Sequence, residues 1–105
     1  ESRKRYLLAG GNSQHRLVVD QGACLALRNG SSLLPVGVLN VIGDFDRGDI
    51  VRVQDEQGHE MARGLVNYSA VDLAKISRHH STEIETFLGY VYSEEIIHRN
   101  NLVLL

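Results

Sequence analysis

Cysteine, proline and lysine are scarce in this 105-residue chain, and long apolar runs are missing from it. The single cysteine, Cys24, excludes an intrachain disulfide, and this is typical of proteins from reducing compartments. No apolar run approaches the roughly 18 residues that a membrane-spanning helix needs. The start of the chain also does not resemble a secretory signal peptide. Together these absences predict a cytoplasmic protein that makes no contact with a membrane.

Excess positive charge is missing as well. The 11 Lys and Arg residues face 13 Asp and Glu residues, so the formal net charge is −2 at pH 7. Independent nucleic-acid-binding domains usually carry an evident basic excess, so the composition argues against a strong one. What is present is ordinary for a globular protein, with 43% hydrophobic and 23% charged residues. The length predicts one domain with its own core.

Glycine turns and β-rich runs occupy the middle of the chain. Gly48 and Gly58 each follow polar residues and can supply the positive φ angle of a tight turn. Residues 51–54 alternate between apolar and polar, as in a half-buried strand. In the next run, Ala62 and Gly64 stand where larger side chains are expected, which indicates a close backbone approach. This segment therefore predicts two strands of a tightly curled sheet.

Further short elements flank these two runs. Asp20, Ser69 (with Asp72 three residues later) and Ser81 or Thr82 are predicted helix starts, while Gly30 and Gly89 are predicted helix ends. Additional strands are predicted over residues 16–19, 36–42, 90–92, 96–98 and 101–105. Short strands with a few short helices and frequent glycines predict a small, nearly closed β structure with helical decoration.

The first residues differ from the rest. A basic cluster at Arg3–Arg5 is followed by Gly10–Ser13, a composition typical of a flexible linker. We therefore expect residues 1–14 to form a lead-in outside the fold.

Several motifs together carry a family resemblance. The segment Gly43–Tyr68 resembles the PUA domain, a small pseudo-barrel known from RNA-modifying enzymes. Four further motifs make the family resemblance more specific: Ala62–Ser69, Glu83–Glu85, Leu88–Tyr90 and Ile97–Val103. These are similar to the C-terminal PUA domain of bacterial glutamate 5-kinases. The resemblance implies a mainly β (α+β) PUA-type pseudo-barrel over residues 16–105, with about five to seven short strands and two or three helices. It also implies that residues 1–15 are a linker from a preceding kinase domain.

The same resemblance implies a function for the full-length protein. Glutamate 5-kinases phosphorylate L-glutamate with ATP in the first step of proline biosynthesis, and bind ATP and magnesium in an amino-acid-kinase domain. This chain has no Gly-x-x-x-x-Gly-Lys-Ser/Thr loop, and its two lysines, Lys4 and Lys75, lie in the lead-in and on a predicted helix surface. We therefore expect no catalytic residue and no cofactor in this chain. Its expected role is to modulate its own kinase domain or the assembly of a homo-oligomeric enzyme.

The alternative function is RNA or DNA binding. In the wider PUA family, RNA lies in a groove formed by the first helix, the glycine turn after it and the following strand. The corresponding positions in this chain are Arg28, Asn29, Gly30, Ser31, Ser32 and Gly37. Arg28 is the one basic residue among them, and no aromatic side chain is available there for base stacking. A helix end followed by a turn also explains Gly30–Ser32. We therefore expect weak RNA binding or none.

Histidine and aspartate clusters do not predict a metal site. His79, His80 and Glu83 are close in sequence, but they lack the spacing of known zinc sites. The run of Asp44, Asp46 and Asp49 lacks the glycine that a calcium-binding loop requires at its sixth position. We expect these aspartates to form turns and the histidines to lie at helix ends.

Overall fold

The computed structural model of the protein describes the backbone of residues 2–105 and the side chains of residues 4–105. Within that range it contains four α-helices and five strands. In chain order these are α1 (Ser2–Ala9), β1 (Arg16–Val19), α2 (Gln21–Arg28), β2 (Val38–Ile42), β3 (Ile50–Gln54), β4 (Glu60–Leu65), α3 (Ala70–Ile76), α4 (Ile84–Leu88) and β5 (Leu102–Leu104). Short 3₁₀ turns cover Pro35–Gly37, Ser81–Glu83 and Arg99–Asn101. None of the helices in the described range is long and apolar enough to cross a membrane.

The five strands form one mixed sheet in the order β2-β1-β3-β4-β5. β1 pairs parallel to β3, whereas the other neighbours are antiparallel. The inner face of the sheet contributes alternate buried residues to the main core, such as Leu17 and Val53, and α2, α3 and α4 cover it with Leu27, Leu73 and Ile84. This mainly β arrangement confirms the predicted fold class.

The local features predicted from glycine are confirmed. Gly48 and Gly58 have φ angles of 94° and 89°. A Cβ atom at Gly64 would lie 2.5 Å from Ile97 Cγ2 and 2.9 Å from the Asn101 carbonyl oxygen. Since side chains essentially never approach that closely, glycine at this position lets the segment before β5 pass directly against β4.

The predicted helix ends are confirmed too. Asp20 Oδ1 accepts a hydrogen bond from Ala23 N at 2.8 Å, and Ser69 Oγ accepts one from Asp72 N at 3.2 Å, so both residues are N-caps. Gly89 ends α4 with a left-handed φ of 80°. Cys24 of α2 is buried and belongs to the main core.

Two predicted strands, 90–92 and 96–98, are wrong. In the first segment a side chain replaces the strand ladder: the Tyr68 hydroxyl donates to the Ser93 carbonyl at 2.5 Å and accepts from Tyr92 N and Ser93 N at 3.0 Å each. The second segment contributes one isolated bridge, between Leu33 and Ile97. The predicted strand from residue 36 is also shorter, because Pro35–Gly37 forms a 3₁₀ turn first.

The lead-in was predicted to lie outside the fold, and this is wrong for its first part. Residues Ser2–Ala9 form α1, and Leu7 is only 1% exposed because it packs on Ile50 and Val103 of the outer sheet face. Arg63 Nη1 also donates to the Leu8 carbonyl oxygen at 2.8 Å. An apolar patch on the outer face therefore holds the helix in place. The assignment of residues 1–15 to a linker from a kinase domain stays a prediction.

Candidate nucleic-acid interface

A groove of about 320 Å³ runs between α2 and the Pro35–Gly37 turn. Ser31, Ser32 and Gly37, three of the predicted interface residues, line this groove. Ala23, Ala26 and the leucine pair 33–34 supply much of the remaining wall, so the surface is mainly apolar. The structure therefore forms the predicted groove, but with few charged groups along it.

The two walls of the groove meet at Gly37. A Cβ atom there would lie 2.7 Å from Ala23 Cβ, and Gly37 O accepts a hydrogen bond from Asp20 N at 3.0 Å. A larger residue would push the turn away from α2. Gly37 thus has a packing role that explains why glycine stands here, independently of any ligand.

Arg78 bridges Asp20 and Val36, two residues that line the groove. Its Nη1 donates to Asp20 Oδ2 at 2.7 Å and to the Val36 carbonyl oxygen at 2.6 Å, while its backbone N–H donates to Pro35 O at 2.9 Å. Its φ of 69° lies in the left-handed region, which is uncommon for arginine. No sequence pattern connects residue 78 with residue 20, so the sequence did not reveal this contact.

The charge of Asp20 is well supported. Its partial burial would raise the pKa of the carboxyl group, but the hydrogen bonds from Ala23 N and Arg78 and the charge of Arg78 together lower the pKa below its ordinary 3.8. The carboxylate therefore stays ionised and paired with Arg78.

The structure separates the other predicted interface residues from this groove. Arg28 faces a second groove of about 280 Å³, on the other side of α2, together with Asp55 and Glu56. Asn29 and Gly30 are exposed at the end of α2, where Gly30 has a φ of 86°. The predicted residues are therefore distributed over more than one groove.

A basic groove that the sequence did not predict adjoins the Gly30–Ser31 turn. It has a volume of about 250 Å³, and Lys4 and Arg99 lie on its wall. Arg99 is held there because its backbone N–H donates to Ser32 Oγ at 2.8 Å. The guanidinium group of Arg47 lies over the Tyr92 ring, 4.2 Å from its centroid.

The comparisons with known proteins agree with this fold. The PUA domain family profile matches residues 15–88. The chain belongs to the PUA domain family. A PUA domain from Aeropyrum pernix K1, solved as a tartrate complex, superposes with a TM-score of 0.60 at 23% identity, covering 81% of this chain and 41% of that one. This PUA chain therefore shares its fold with a solved relative.

Curated relatives are more similar in sequence. This PUA chain is 50% identical over 106 residues to glutamate 5-kinase from Vibrio vulnificus and 52% identical over 106 residues to glutamate 5-kinase from Deinococcus radiodurans. Both alignments cover 100% of the chain but only 28% and 29% of the relatives, and they fall in the C-terminal region of these proteins. The chain thus spans less than a third of the length of the relatives that it matches.

The histidines of this PUA domain have local structural roles. His79 stacks on Phe87 with ring centroids 4.1 Å apart, and its Nδ1 lies 3.8 Å from Glu83 Oε1. His98 Nδ1 accepts a hydrogen bond from Asn100 N at 3.1 Å. Among the described residues, no three His, Cys, Asp or Glu side chains are grouped to hold a metal ion.

An exposed apolar surface lies on the α3–α4 side of the PUA domain. Its members are 41–62% exposed: Val71, Phe87, Tyr90, Val91 and Tyr92. The Tyr90 hydroxyl donates to Asp72 Oδ2 at 2.5 Å, and this bond, together with burial, raises the pKa of Tyr90 to about 12. Tyr68 fixes the backbone beneath, so the apolar side chains are presented on an ordered loop.

Proposed function

We propose that the chain is the non-catalytic PUA module of a glutamate 5-kinase and modulates the kinase domain or its assembly. The complete enzyme would work in the cytoplasm and transfer phosphate from ATP to L-glutamate. ATP and magnesium would bind in its kinase domain. The observation that carries this proposal is the identity of about 50% to glutamate 5-kinases along the whole chain.

Two structural features support a modulating role. Helix α1, which would connect to a kinase domain, is bound to the sheet through Leu7 and the Arg63–Leu8 hydrogen bond. A rigid connection of this kind transmits orientation better than a flexible linker does. The exposed surface around Tyr92 and Val91 also has the apolar and aromatic character of protein interfaces.

The test compares the full-length enzyme with a truncation that lacks residues 17–105. A change in magnesium dependence, in inhibition by proline or in oligomer size supports a modulating role, whereas unchanged kinetics and size contradict it. A finer comparison uses Val91→Ser in the apolar surface and Leu25→Ser, a residue with similar exposure on α2 (49% and 54%). We expect Val91→Ser to reproduce part of the truncation effect and Leu25→Ser to leave the enzyme unchanged.

RNA binding is the second candidate, and the basic groove at Lys4 and Arg99 favours it. Few cations are available to neutralise phosphates, so we expect a dissociation constant no tighter than about 10⁻⁶ M at physiological salt, with a shallow salt dependence. Fluorescence anisotropy with a labelled transfer-RNA fragment measures both quantities. Arg99→Glu should weaken any binding, while Arg28→Glu should not, because Arg28 faces Asp55 and Glu56. Nanomolar binding that is lost in Arg28→Glu would contradict this placement.

A further inference from the structure

Three arginines form a row across the outer face of the sheet. Arg16 of β1 is in register with Arg52 of β3, and Arg52 is in register with Arg63 of β4. Like charges on directly paired positions of neighbouring strands repel each other and destabilise a sheet. A row of this kind needs compensating negative charge.

Among the described residues, the negative charge that compensates these three arginines is unevenly distributed. Glu60 binds Arg63 closely, with Nε–Oε2 at 2.5 Å and Nη2–Oε1 at 3.3 Å, and lies at a longer 3.7 Å from Arg52 Nη1. Arg16 Nη1 donates to the neutral Gln54 Oε1 at 3.4 Å. Glu60 therefore serves mainly Arg63, and leaves Arg16 and Arg52 less well paired.

Two donors of these arginines have no hydrogen-bond partner among the residues that the structure describes. Arg16 Nε and Arg52 Nε are buried, and neither makes a hydrogen bond to any of the described residues. A buried N–H group without an acceptor costs free energy, and the cost is larger on a charged side chain. Two such under-compensated cations on adjacent strands would be stabilised by one anionic acceptor that reaches both guanidinium groups.

The space for that acceptor is present. Arg16, Arg52 and Glu60 line a groove of about 300 Å³, together with Ser13, Gln14, Gln54 and Gly58. Three guanidinium groups against one carboxylate leave two positive charges in the row, 3 − 1 = 2. A dianion would balance this excess, whereas a single carboxylate would not.

We propose that Arg16 and Arg52 hold a phosphoryl dianion, either free phosphate or the terminal phosphoryl group of a small metabolite. Its oxygens accept from the accessible guanidinium N–H groups of Arg16 and Arg52, whose side chains are partly exposed at the groove, since arginine presents donors in a planar fork that suits phosphate. Ser13 and Gln14, which have polar side chains, line the same groove. This site lies on the outer sheet face, apart from the groove beside α2, and does not depend on the kinase role.

The test follows the arginine Nε–Hε resonances of the ¹⁵N-labelled chain by NMR. Inorganic phosphate, glycerol phosphate and acetate are titrated separately at constant ionic strength maintained with sodium chloride. We expect the Arg16 and Arg52 resonances to shift saturably with phosphate, with a dissociation constant of about 1 mM. Saturation by phosphate alone would identify the free ion as the ligand, and saturation by both phosphates would identify a phosphoryl group. Either result supports the site.

Matched variants separate a built site from general charge attraction. Arg16→Gln and Arg52→Gln should each weaken phosphate binding at least about 10-fold, because each removes one fork of charge-assisted donors. Lys75→Gln removes the same charge from the exposed face of α3 and should leave binding unchanged. The amide spectrum of each variant reports whether it folds, and the two arginine variants test the site independently. Absence of saturable shifts, equal affinity for acetate, or equal loss in Lys75→Gln would overturn the proposal.

Discussion

The groove beside α2 and the outer sheet face differ in how their charged side chains are paired. In the groove, the charged groups pair with each other: Asp20 and Arg78 are bonded at 2.7 Å, and Arg78 also binds the Val36 carbonyl. On the outer face, the buried Nε donors of Arg16 and Arg52 have no partner among the described residues. The charges in the groove are therefore balanced within the chain, whereas the arginines of the outer face would be stabilised by a bound anion. Basic residues of this chain are thus better placed for a ligand on the sheet than in the groove that the family resemblance pointed to.

Strand β1 links these two regions. Its inward side chains, Leu17 and Val19, are fully buried in the core, while Arg16 points into the outer groove. Asp20 follows directly and caps α2 beside the other groove. Since side chains alternate across a strand, five consecutive residues can serve two surfaces and the core at once.

The largest expected effect on stability comes from removing the contact between α1 and the outer face of the sheet. Leu7→Ala should lower the free energy of unfolding by about 3 kcal/mol, because it leaves a cavity against Ile50 and Val103. Leu8→Ala is the matched control, since that side chain is 44% exposed and should cost little. Urea denaturation of both variants measures the difference. Equal stability of the two would show that α1 is not part of the fold.

A medium effect is expected from the groove beside α2, with opposite signs for two glycines on its walls. Gly37→Ala should lower the free energy of unfolding by about 2 kcal/mol, because its Cβ would lie 2.7 Å from Ala23 Cβ. Gly22→Ala should raise it by about 0.5–1 kcal/mol, because alanine favours helix and its Cβ would meet Asp20 Oδ1 at an ordinary 3.5 Å. Thermal melting ranks the two variants against the parent. Stabilisation by Gly37→Ala would mean that the walls are not in close contact.

The smallest effect concerns the ion pair between Asp20 and Arg78. Asp20→Asn keeps an N-cap but removes the charge, so we expect a loss of about 0.5–1 kcal/mol at neutral pH for this partly exposed pair. The folded pKa of Asp20 lies below its ordinary 3.8, so its contribution is complete above that value and disappears as the pH falls through the folded pKa. Parent and variant should therefore converge in acid.

Urea denaturation at neutral and acidic pH measures this convergence, with Asp44→Asn as an exposed control. A difference between parent and Asp20→Asn that stays constant down to the lowest pH would contradict a role for the charge.

Much of the fold could be predicted from short-range patterns. The caps at Asp20 and Ser69 and the turn at Gly48 depend on residues within three positions, so the sequence displays them directly. The loop held by Tyr68 could not be predicted, because a side-chain hydroxyl distant in sequence takes the place of a strand ladder. Helix α1 was missed for the same reason, since its apolar partners Ile50 and Val103 belong to other strands.

The candidate sites were partly predictable. The side of α2 on which Arg28 lies follows from helical spacing, because Gln21, Cys24 and Arg28 recur at intervals of three and four and line the same groove. The same spacing could have predicted from the sequence that Arg28 lies in a different groove from Ser31 and Ser32. The arginine row could not be foreseen, since pairing Arg16 with Arg52 requires the register of a parallel strand pair. Register depends on the whole sheet.

The parallel pairing of β1 with β3 also bears on how the chain folds. β3 and β4 are joined by a short loop and can pair early, whereas β1 must reach β3 across a segment that contains α2 and β2. Contacts between distant parts of a chain require loop closure before they contribute stability, and they slow folding. We therefore expect the β3–β4 hairpin to be structured in the folding transition state, and β1 to pair with β3 later in folding. Refolding on the scale of milliseconds to seconds would follow from that order, about as for other small β-rich domains.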